Sequence, residues 1–103
     1  SSVVRWYRDT FGLAEKAYAE SHGINAYDYI MDSAMDQPSG MFVLPHFSGS
    51  ATPYMDSESK GAILGVTLDT TKEKFIKAIL EGITYEIMVN TKILTGEGVK
   101  VDR

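Results

Sequence analysis

The stretch KGAILGVTLDTTKEKFIKAILEG, from Lys60 to Gly82, sets two kinds of chain side by side. Ala62 to Leu68 is apolar enough for a short strand, and beyond it the apolar residues recur at three- and four-residue steps. Ile76, Ile79, Leu80, Ile83, Ile87 and Leu94 then share one helical face, which Phe75, Ala78 and Met88 widen. Thr70 and Glu73 have the spacing of a capping box at the start of this helix, and Gly96 is placed to stop it. A strand leading directly into a long amphipathic helix is the unit of an α/β arrangement. At roughly 1.5 Å per residue, a helix reaching Thr95 would be nearly 40 Å long. A domain of 103 residues does not readily cover that length, so part of the helix is expected to pack on protein outside this chain.

Toward the N-terminus, Met41 to Leu44 is a continuous apolar run that suits a strand buried on both faces, bounded by Gln37-Pro38-Ser39-Gly40 and by Pro45. Phe47 to Lys60 is rich in Ser, Gly, Thr, Pro and Asp and has no helical or strand period. It reads as a long loop, and such loops are uncommon unless functional. Asn25 followed by Asp28 marks a helix start, with a short helix expected from Ala26 to about Met35. Val3, Val4, Tyr7, Phe11, Ala14 and Tyr18 make one stripe over Ser2 to about Glu20, ending near Gly23. Gly12 costs that helix about 1 kcal/mol relative to Ala, which packing of the stripe must outweigh. Val99 and Val101, alternating with charges, suit the start of a further strand. The expectation is a partial α/β domain of three helices with two or three short strands.

With 44% hydrophobic and 23% charged residues, the composition is that of an ordinary globular domain. The net charge is −4, and ten Lys and Arg residues are scattered among fourteen acids, which argues against nucleic acid as a partner. No apolar stretch approaches the roughly 18–20 residues that span a bilayer, so no membrane partner is expected. There is no cysteine, and His22 and His46 have no ligand cluster beside them, so no metal site is expected. A cytoplasmic location is compatible with all of this.

Gly49-Ser-Ala-Thr-Pro-Tyr-Met-Asp56, Lys60-Gly61-Ala-Ile-Leu-Gly65-Val-Thr and Ala78-Ile-Leu-Glu81-Gly82 together resemble the second signature of the FGGY sugar kinases. That family includes the xylulose, gluconate, ribulose, fuculose and glycerol kinases. The opening Val3-Val4-Arg5-Trp6-Tyr7-Arg8-Asp9 resembles the family helix near the adenine, so the two patches cover most of the chain in family order. Lys60, Met55 and Lys74 depart from the commonest family residues.

The resemblance implies that residues 1–103 belong to the C-terminal, nucleotide-binding domain of an actin-like ATPase (ribonuclease H-like) fold. It implies ATP, Mg2+ and a sugar substrate in the intact enzyme, with the γ-phosphoryl group passing to a sugar hydroxyl. The flavour of residues 5–9 and 44–49 is xylulokinase-like, which points to a pentulose or hexulose. The catalytic aspartate and the phosphate-gripping loops of the family fall outside this region, so the piece alone is expected to be inactive and to bind no cofactor.

On that basis Ser1 and Arg5 are the candidate nucleotide-binding residues, Ser1 near a family glycine and Arg5 where the helix presents a polar side chain to the base. The alternative for Arg5 is a solvated helix charge over a packed stem. No residue is assigned a catalytic role: Asp56 reads as an acid closing a turn, and His46 as a hydrogen-bonded structural histidine. Trp6 and Tyr7 read as core or interdomain packing, and Gly82 as a site of close approach between backbones. The competing readings are a helical interaction module without enzymatic activity and an inactive actin-like scaffold. In isolation, uncovered strand edges and the helix stripe are expected to drive homo-oligomerisation or swapping.

Overall fold

The computed structural model describes residues 2–44 and 60–96. Along the chain run α1 (Ser2–Thr10), α2 (Leu13–Ser21), α3 (Ala26–Asp32), β1 (Phe42–Leu44), β2 (Ala62–Leu64) and α4 (Lys72–Leu94). The strands form an antiparallel pair in the register Phe42↔Leu64, Val43↔Ile63, Leu44↔Ala62. The core joins α1, α3, β1 and α4 through Val3, Val4, Tyr7, Ile30, Val43, Ile76, Ala78 and Ile79.

The stripe expected to form one helix forms two. Gly12 takes φ −97°, ψ 30°, outside helical values, and the Tyr7 carbonyl accepts from both the Phe11 and Gly12 amides. The break has a packing cause: a Cβ on Gly12 would lie 3.1 Å from Ile30 Cδ1 and 3.2 Å from the Arg8 backbone. Helix α3 presses a buried isoleucine into the gap that the missing side chain leaves. At the far end of α2 the amides of Gly23 and Ile24 donate to Glu20 O and Ala19 O, with Gly23 at φ 67°. This is a Schellman ending, for which glycine is the cheapest residue.

Asn25 caps α3 as expected, its side-chain oxygen accepting from the Asp28 amide at 3.0 Å. The helix stops at Asp32, short of the expected Met35, because the Met35 amide donates to Glu73 O on α4 instead of continuing the helix. In β1, Val43 is buried, but Phe42 is exposed and Leu44 half-buried, so the run is not covered on both faces. The second strand ends at Leu64, well before Leu68. Gly65 turns at φ 88°, and the Thr67 amide donates to Thr70 Oγ1 while the Asp69 amide donates to Thr67 Oγ1. Threonine hydroxyls have replaced ladder bonds there.

The same turn explains why Thr70 does not cap α4. Its hydroxyl is already engaged, and Thr71 takes the role by accepting from the Lys74 amide at 3.2 Å. Helix α4 runs for 23 residues to the Thr95 and Gly96 ending, with Gly96 at φ 75°. Its buried residues, Ile76, Ala78, Ile79 and Gly82, all lie in the first half, whereas Ile87 and Leu94 of the expected stripe are exposed.

Candidate functional site

Helix α1 carries the candidate adenine-side residue, and its placement follows from the rings beneath it. Tyr7 lies 5.6 Å from Phe75 in the first turn of α4, and Phe11 packs 6.0 Å from Tyr7 and 6.2 Å from Phe75. Trp6, half-buried, meets Phe11 edge-on at 5.5 Å. Aromatic pairs at these separations contribute about 0.5–1.5 kcal/mol each beyond their burial, so α1 is seated on α4 chiefly by ring packing. Tyr7 is core and Trp6 is packing, as expected from the sequence.

Val3, Val4 and Tyr7 point inward, which leaves Arg5 on the exposed side of α1. Arg5 forms no hydrogen bond or ion pair among the described residues, so its guanidinium is free to meet a partner from solvent. The neighbouring Arg8 and Asp9 pair with each other at 2.8 Å, which raises the Arg8 pKa and lowers that of Asp9. Ser1, Asp56 and His46 lie outside the described residues.

Below the rings, Glu15 on α2 accepts from Lys72 Nζ at 2.9 Å, joining α2 to the start of α4. The bond lowers the Glu15 pKa and raises that of Lys72. The second carboxylate oxygen, Glu15 Oε2, is buried and unpartnered. Burial first, and the Glu15 charge second, raise the Tyr7 phenol. These groups border a cavity of about 260 Å³ whose wall is completed by Tyr29, Ile30, Asp32, Ser33 and Glu73. Among the described residues no group of three or more His, Cys, Asp or Glu side chains stands close enough together to hold a metal ion.

The second junction lies midway along α4. Glu81 Oε1 accepts a short 2.5 Å hydrogen bond from Ser39 Oγ, and both carboxylate oxygens lie 3.4 Å from the Ser39 amide. One residue on, Gly82 is buried, and a Cβ there would stand 2.5 Å from the Val43 carbonyl oxygen. Gly82 is therefore a contact glycine, as the sequence suggested. Sequence reasoning missed Ser39, which reads only as part of a Pro-Ser-Gly helix breaker, 42 residues from its partner. The Glu15 and Lys72 pair, 57 residues apart, escaped for the same reason.

Over residues 1–103 the chain matches the C-terminal domain of the FGGY family of carbohydrate kinases. It belongs to that family. A glycerol kinase of Bacillus anthracis is 41% identical over 86 residues, covering 84% of this chain and 16% of that protein. A glycerol kinase of a Geobacillus species is 39% identical over 90 residues, again 16% of its length. The chain thus spans about a sixth of these curated relatives.

Among solved structures, the xylulose kinase of Rhodospirillum rubrum superposes with a TM-score of 0.66 at 20% identity, over 94% of this chain and 18% of that one. The ligand-bound xylulose kinase of Lactobacillus acidophilus gives 0.65 at 22% identity, over 89% and 17%. At those identities the likeness is one of fold. This FGGY-family chain therefore has the α/β arrangement of the actin-like ATPase domain, and among the described residues it shows four helices where three were expected, with a two-stranded sheet; the further strand expected at Val99 and Val101 lies outside the described residues. No helix among the described residues is long and apolar enough to cross a membrane.

Proposed function

We propose that this chain is part of the nucleotide-binding domain of a cytoplasmic, ATP-dependent kinase that moves the γ-phosphoryl group of ATP to a hydroxyl of a sugar or polyol. The observation that carries the reading is the match to the FGGY C-terminal domain along all 103 residues. The exposed Ile87, Met88, Ile93 and Leu94 on α4 fit a helix that packs on the rest of such a domain. The base of the reaction, the Mg2+ site and the phosphate loops are assigned to parts of the kinase beyond this segment. Within it, Arg5, solvent-facing on a helix anchored by rings, is assigned to the edge of the adenine site, and Ser1 to nucleotide binding on the family resemblance alone.

For the acceptor, residues 5–9 and 44–49 favour a pentulose or hexulose, as in xylulokinase-like enzymes. The 41% identity to a glycerol kinase favours glycerol. Purified full-length protein carrying this segment should be assayed with Mg-ATP against glycerol, xylulose, ribulose and gluconate. ATP consumption that depends on one acceptor supports the reading and names the substrate. Arg5→Ala should then raise the KM for ATP about three- to tenfold and leave that for the acceptor unchanged, as expected for one lost exposed cation contact of about 0.5–1 kcal/mol or somewhat more. No ATP consumption with any acceptor in the panel would favour the inactive scaffold instead.

A further inference from the structure

We draw no further inference here: the strongest candidate, the cavity between α1, α2, α3 and the start of α4 that Glu15, Asp32 and Glu73 border, is an acidic cluster with no second feature that points to a ligand, because its buried carboxylate oxygen, Glu15 Oε2, belongs to a side chain that Lys72 already holds and that is still 23% exposed.

Discussion

Replacing Gly82 by Ala should destabilise this protein, against the local preference of the helix. In an exposed helix interior, Gly→Ala stabilises by about 1 kcal/mol because it removes backbone entropy from the unfolded chain. Here the added Cβ would lie 2.5 Å from Val43 O and 3.3 Å from both Val43 C and Val43 Cβ. Ordinary contact needs close to 3.4 Å or more. Strand or helix must therefore retreat by most of an ångström, from a region containing the fully buried Val43, Ile76 and Ile79.

Overpacking of this kind costs roughly 1–3 kcal/mol, and a clash with a main-chain oxygen belongs at the upper end, so a net loss of up to about 2 kcal/mol remains after the helix preference is subtracted. For a domain of 150–250 residues that corresponds to a fall in Tm of up to about 8 °C. The obstructing atom is a main-chain oxygen, so no substitution at position 43 makes room for it. Thermal unfolding of Gly82→Ala beside Thr84→Ala, an exposed change on the same helix, measures the effect. A Gly82→Ala Tm equal to or above that of the parent protein would show that β1 does not rest on this glycine.

Three further outcomes follow from the geometry. The Glu15 carboxyl has its pKa lowered by Lys72, so the stability it contributes is complete above its ordinary value of 4.5 and is lost as pH falls through the depressed folded value. Glu15→Gln should therefore flatten the acid limb of a Tm-versus-pH curve, and an unchanged limb would remove the pair from the account. Asn25→Ala removes the acceptor for the Asp28 amide and should cost about 0.5–2 kcal/mol in denaturant unfolding, whereas Asn25→Ser should restore most of it. Ile79→Ala empties a fully buried site on α4 and should cost about 2–5 kcal/mol, several times the effect of the same change at the exposed Ile87.

Helix α4 and the cap of α3 were legible in sequence because their signals are local: a stripe at helical spacing, an Asn before an acid, a Gly at the end. The break in the first helix was not, since its cause is Ile30 arriving from α3, beyond any periodicity within residues 2–20. The capping threonine was misplaced by one residue because Thr70 and Thr71 are equivalent in pattern. Only the turn at Thr67 decides which hydroxyl is free. At the candidate site, the outward placement of Arg5 and the contact at Gly82 could be read from helical spacing and the family pattern. Ser39 and the Glu15–Lys72 pair could not, because hydrogen-bond partners 42 and 57 residues apart leave no mark in spacing.

The two halves of α4 are maintained by different means. The first carries every buried residue of the helix, and from Ile83 to Leu94 none is buried. An isolated helix of about twelve residues is marginal in water because its first turn must be nucleated at an entropic cost that later turns recover slowly. Within this segment, without the rest of the proposed domain packed on it, the second half avoids that cost by growing from a nucleus already fixed on the core. Its helicity there is borrowed: in the segment by itself, a proline near Ile83 would melt what lies beyond it while the clamped half kept its shape.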